Sequence, residues 1–287
     1  MNLKKCLQLV LMAVSIGLCV LSASVVNANS EDIEKYTKAV ELNPNDAESY
    51  FNRGNAYANL EQIEQAIQDF NKAIEINPKY AAAYNNRGLC YAHKENYDPA
   101  LQDFNKVIEI DPNYADIYLN RGLCYMSKEN YDLAIQDFNK ATEIDPNNFR
   151  IYSLLGSCYD SLKNYDSAIK NYTKAIEITD KTNQLVLLYD FRGSCYVQQE
   201  KFDSAIQDFN KAIELAPNFP LSYGIRGKYY LTIGENEKAI QDFNKAIELA
   251  PNYNEAYYYR GLCYQKLGDD KKAQADFAKA KELGYKG

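Results

Sequence analysis

Apolar and polar residues follow one another along this chain with the period of a helix. In the ten residues AIQDFNKAIE, Ala66–Glu75, the apolar positions are Ala66, Ile67, Phe70, Ala73 and Ile74. Steps of three and four place them on one stripe of an amphipathic helix. Gln68, Asn71, Lys72 and Glu75 fall on the other side, expected to be solvated. The same ten residues return at Ala205–Glu214 and Ala239–Glu248, with near-copies starting at Ala100 and Ala134. Prolines keep the same step: Pro44, Pro78, Pro112 and Pro146 are 34 residues apart, as are Pro217 and Pro251.

Counted from Ala47, seven units of 34 residues reach Gly287, with three additional residues, Asn183–Leu185, after the fourth. Every unit has Tyr at position 4, Gly at 8 and Tyr at 11, as in Tyr84, Gly88 and Tyr91. Every unit then has Ala at 20, an aromatic at 24 and a small residue at 27, as in Ala100, Phe104 and Val107. Each set lies on one helix face, so the pattern predicts two helices per unit, the second stopped by proline. A glycine inside a helix costs ~1 kcal/mol relative to alanine. The expected return is a close approach of the two backbones at Gly 8 and Ala 20, with rings filling the space around it.

This pattern resembles the tetratricopeptide repeat, whose signature is an aromatic at 4, Gly at 8, Tyr at 11, Ala at 20, an aromatic at 24, Ala at 27 and Pro at 32. The resemblance implies an all-α solenoid, stacked antiparallel helix pairs forming a right-handed superhelix, with first helices lining a concave groove. On that reading residues 29–46, with Tyr36, Ala39 and Pro44, form an N-terminal capping helix. Residues 47–182 hold repeats 1–4 and residues 186–287 repeats 5–7. The insertion at 183–185 is expected to interrupt the stack between them.

What varies between the copies points to function. Position 5 is Phe51, Asn85, Leu119, Ser153, Asp190, Gly224 and Tyr258, a different residue in each unit. Positions 2, 5, 9 and 12 share one side of the first helix, which in the family lines the groove. Two readings of that variation stand: a ligand surface tailored unit by unit, or drift at positions facing water. On the first reading Leu89, Leu119, Leu123 and Met126 form an apolar patch. Asn52, Asn55, Asn86 and Asn120 are then placed to bond a ligand backbone, with His93 at the groove's edge. The family's clamp for a terminal carboxylate is broken here: Asn55 and Asn86 fit it, but Phe51, Asp116 and Asn120 stand where it requires cations.

Six units carry Arg at 7 and Asp at 23, among them Arg53 with Asp69, Arg87 with Asp103 and Arg121 with Asp137. The fourth unit lacks both, with Leu155 and Asn171. Their joint presence and absence predicts a structural ion pair joining the two helices of a unit. Shared descent of copied units, without contact, is the alternative.

The N-terminus changes the picture of where the protein works. Lys4 and Lys5 precede an apolar run from Cys6 to Val26, and Val26-Asn27-Ala28 fits the small-residue pattern before a cut. Residues 1–28 therefore read as a signal peptide, and the protein as exported, periplasmic or secreted. An uncleaved membrane anchor is the other reading; after cleavage no membrane span remains.

The chain has 32 Lys and Arg against 39 Asp and Glu, a net charge of −7; loss of Lys4 and Lys5 takes it to −9. That balance argues against nucleic acid as partner. Cys90, Cys124, Cys158, Cys195 and Cys263 share position 10, a slot expected between neighbouring first helices and too widely spaced for disulfides. There is no CxxC motif and His93 is the single histidine, so neither a zinc site nor a nucleophilic triad can be assembled. The expectation is a non-catalytic scaffold without cofactor or metal that binds a protein or peptide. A self-associating component of an envelope or secretion assembly is the alternative. The oligomeric state is left open.

Overall fold

A computed structural model describes residues 30–286. The signal-peptide reading, and its alternative of an uncleaved anchor, lie outside the described residues. The described residues form helices joined by short turns, without strands. They divide into two compact units, one closing at Asn147 and the other opening at Asn148.

The first unit begins with α1 (Ser30–Leu42) and continues as three helix pairs: α2 (Ala47–Asn59) with α3 (Ile63–Ile76), α4 (Ala81–His93) with α5 (Tyr97–Ile110), and α6 (Ala115–Ser127) with α7 (Tyr131–Ile144). Each helix packs on the one before it, and the first helices α2, α4 and α6 also touch in turn. The second unit holds four pairs: α8 (Phe149–Ser161) with α9 (Tyr165–Ile178), α10 (Thr182–Gln198) with α11 (Phe202–Leu215), α12 (Pro220–Thr232) with α13 (Asn236–Leu249), and α14 (Asn254–Lys266) with α15 (Asp270–Glu282). Here too α10, α12 and α14 touch in sequence. Asn183–Leu185 are helical. The stretch contains neither glycine nor proline, so the extra residues lengthen α10 to 17 residues, and α10 packs on α9.

The ring at position 24 explains the glycines. A Cβ on Gly88 would stand 2.7 Å from Phe104 Cε1, and one on Gly122 2.6 Å from Phe138 Cε1. The same holds at the other repeats, Tyr172 taking the ring's place against Gly156. Glycine is thus required by the Phe or Tyr edge, more than by contact with Ala 20 as the sequence suggested. That alanine's backbone is among the nearest atoms only at Gly261. The thiols are buried between repeats. Cys90 clusters with Ile63, Ala66 and Phe70 of the preceding repeat's second helix, and Tyr57 and Ala58 of its first helix pack against the same cluster. Cys195 and Cys263 do the same in their repeats. Burial pushes Cys90, Cys124 and Cys158 up to about 12, so these thiols stay protonated and unreactive at neutral pH.

Within a repeat, the turn closes on a residue with left-handed backbone. Glu95 N donates to Ala92 O and Asn96 N to Tyr91 O, each at 2.9 Å, which satisfies two orphan carbonyls of α4. The left-handed residue is Glu61, Glu95, Glu129, Lys163 or Glu200 in five repeats and Gly234 or Gly268 in the last two. A side chain there costs ~1–2 kcal/mol, partly offset by glycine's greater freedom in the unfolded chain. Glu95→Gly is therefore expected to raise stability by ~0.5 kcal/mol and Gly234→Glu to lower it, read as shifts of the urea midpoint.

The Arg at position 7 joins three helices. Arg87 donates from Nε to Asp103 Oδ2 at 2.8 Å and from Nη2 to Asp103 Oδ1 at 2.6 Å. Its remaining nitrogen, Nη1, donates to Asn71 Oδ1 of the preceding repeat at 2.5 Å, and its guanidinium lies 5.4 Å from the Tyr84 ring centre. Arg121 repeats the arrangement with Asp137 and Asn105. Arg53 pairs with Asp69 and reaches Thr37 on α1 at 3.4 Å. Asn71, assigned to a merely solvated face on sequence grounds, is thus an acceptor between repeats. Lys72 and Glu75, the exposed charged residues of the copied string, pair at 2.9 Å, and Lys106 with Glu109 repeats the contact; water screens pairs so exposed.

Candidate functional site

The first helices of the first unit carry the residues singled out for binding, and their placement separates them into three groups. Leu89, Leu119, Leu123 and Met126 are buried: Leu89 is 7% exposed and the other three 2%. They do not form an exposed apolar patch. The first helices α2, α4 and α6 touch in turn, and apolar side chains are favoured out of water.

The asparagines form a connected row. Asn120 Nδ2 donates to Asn85 Oδ1 at 3.2 Å, Asn85 Nδ2 to Asn86 Oδ1 at 2.9 Å, and Asn86 Nδ2 to Asn55 Oδ1 at 2.7 Å. Four amides thus run across three successive first helices. Asn85 and Asn120 are buried, while Asn55 and Asn86 remain half-buried. The pattern of Asn at position 9 in one unit and position 6 in the next exposed part of this row to sequence reasoning. Asn85, at position 5, was counted only as one of seven different residues, and its linking role emerges from the geometry. An amide chain of this kind keeps unused lone pairs and N–H groups at its accessible end, suited to the alternating donors and acceptors of a peptide backbone.

Asn52 is half-buried and His93 exposed; neither joins the amide row. The six residues of the Arg–Asp pairs lie on the side facing the second helices, and their hydrogen bonds are taken up internally. Burial pushes the Asp103 and Asp137 carboxyls up, and the guanidinium beside each pulls them back. Each pair joins the first helix of its repeat to the second. Among the described residues no group of three or more His, Cys, Asp or Glu is placed to hold a metal ion, and no helix is long and apolar enough to cross a membrane.

Stacked helix pairs with a polar row along their first helices define a helical repeat protein of the kind that presents one helix face. The tetratricopeptide repeat profiles match nearly the whole described chain: residues 47–80, 81–114 and 115–148 in three successive copies, 147–218, and 255–283, with a further TPR repeat profile over 29–61 and 227–268. The chain belongs to the tetratricopeptide repeat family. No curated protein matches it.

Among solved structures, it is similar to YrrB, described as a TPR protein with an unusual peptide-binding site. The two share 26% identity over 66% of this chain and 96% of YrrB, with a TM-score of 0.58. It is similar also to the C-terminal part of a TPR repeat-containing protein from Cytophaga hutchinsonii, with 24% identity, 83% and 96% coverage and a TM-score of 0.65. PilF of Pseudomonas aeruginosa matches at 21% identity over 72% of this chain and 93% of its own, with a TM-score of 0.60. The last two likenesses concern the fold.

Proposed function

We propose that the protein is an exported, non-catalytic scaffold that holds an extended segment of a protein or peptide along the first helices α2, α4 and α6. The observation that carries this reading is the amide row from Asn55 through Asn86 and Asn85 to Asn120. Asn55 and Asn86, the accessible members of the row, meet the ligand together with Asn52 and His93 on the same helices. Leu89, Leu119, Leu123 and Met126 form the floor beneath them. The similarity to YrrB supports a peptide as the ligand class. The export half of the proposal rests on residues 1–28 and is tested by sequencing the N-terminus of the protein recovered from its native cells. A start at Asn29 supports cleavage; an intact Met1 overturns it.

The ligand half is tested with peptides selected from a random display library against residues 29–287. Each amide bond to a ligand contributes ~0.5–1.5 kcal/mol, so Asn55→Ala with Asn86→Ala is expected to weaken the selected peptides about tenfold. A control pair on the second helices, Lys72→Ala with Lys106→Ala, leaves affinity unchanged. Equal loss from both pairs, or loss only from the control, overturns the assignment of the face.

A further inference from the structure

Asp190, at position 5 of repeat 5, is a carboxyl without the setting a carboxylate needs. It is 0% exposed. Ser222 of the next first helix, α12, reaches its Oδ2 at 2.6 Å, and its Oδ1 is buried with no hydrogen-bond partner. The groups facing it from the surrounding elements are Asp208 on α11 and Tyr253 at the start of α14. Asp208 is committed to Arg192 by two bonds of 2.8 Å. The Tyr253 hydroxyl is wedged against Gly224, 2.7 Å from where a Cβ would stand, and burial holds it well above the usual phenol range. None of these supplies a positive charge. A buried carboxylate with one donor and no counter-ion is strongly disfavoured against the neutral acid. The Ser222 contact serves either state: the hydroxyl donates to a carboxylate, or the protonated Oδ2 donates to the hydroxyl.

We propose that Asp190 and Ser222 form a proton-dependent latch between the first helices of repeats 5 and 6, closed while the carboxyl holds its proton and released when that proton passes to solvent. Once ionised, the side chain has one donor for its two oxygens. It is relieved only if α10 and α12 part to admit water. Burial pushes the carboxyl up to about 8 in the closed state, against about 3.9 when exposed to water. The sign follows. Between these values the open state is ionised and the closed state is not, so raising the pH favours opening, by up to about tenfold per pH unit, and the effect levels off above pH 8. Asn at this position keeps the shape and loses the proton.

The test is amide hydrogen exchange in α10 and α12 of the whole chain, wild type against Asp190→Asn at each pH, so that intrinsic exchange rates cancel. The ratio of opening constants, wild type over variant, is expected to climb from pH 4 to pH 8 and then flatten. Ser222→Ala removes the donor that favours the ionised form and is expected to move the plateau to higher pH. A ratio that stays flat from pH 4 to pH 9 overturns the latch. So does a plateau that Ser222→Ala leaves at the same pH, since Ser222 would then not be its partner.

Discussion

Phe104→Ala is expected to destabilise repeat 2 by ~3–5 kcal/mol, the cost of emptying a fully buried ring site. The ring stands against Gly88 where no side chain fits, so the two residues are coupled. On its own Gly88→Ala forces a methyl to within 2.7 Å of the ring, and overpacking of this kind costs ~1–3 kcal/mol. Combined with Phe104→Ala, the same methyl enters empty space. The pair is therefore expected to be clearly less destabilised than the sum of its members. Because repeats open locally, the quantity to measure is the opening free energy of amides in α4 and α5 by hydrogen exchange. Additive losses would show that the glycine answers to something other than the ring.

Asp103→Ala is expected to cost ~3 kcal/mol by the same measurement. It strands the Arg87 guanidinium, partly buried, without the carboxylate that accepts two of its N–H groups. The chain itself supplies the comparison. Repeat 4 has Leu155 and Asn171 in these places; Leu155 is buried, and Asn171 turns its amide to Ser167 O at 2.8 Å. Arg87→Leu with Asp103→Asn copies that solution and is expected to recover most of the loss. Burial already pushes the Asp103 carboxyl up despite its partner, which places this pair among those whose desolvation offsets much of their attraction. The clip then matters more for the angle between helices than for net stability. A double variant as unstable as Asp103→Ala would contradict that.

These two sites also show what a sequence of this kind reveals. Periodicity revealed two helices in every unit, because each position recurs in seven units and chance patterns average out. Co-occurrence of Arg and Asp pointed to a contact 16 residues apart, but could not show that the third nitrogen reaches Asn71 in the preceding repeat. An asparagine on a polar face looks the same whether it bonds water or a guanidinium. The candidate site was less legible. Leu119, Leu123 and Met126 vary like surface residues yet are buried, because in a solenoid one face of each first helix meets its neighbour, and sequence spacing does not say how closely. Asn85 reads as one variable residue among seven, and only its distances to Asn86 and Asn120 make it the centre of the row. Asp190 carried no sequence signal at all, since a buried and an exposed aspartate are written alike.

The central claim is that partners meet the first helices of the first unit. Site-specific photo-crosslinking in the native cells tests it most directly, with the reactive group placed in turn at Asn52 and His93 on α2 and α4, and at Lys72 and Lys106 on the exposed sides of α3 and α5. The account predicts that one and the same partner is captured from Asn52 and His93 and not from Lys72 or Lys106. Capture from the two lysines alone would place recognition on the second helices and contradict it.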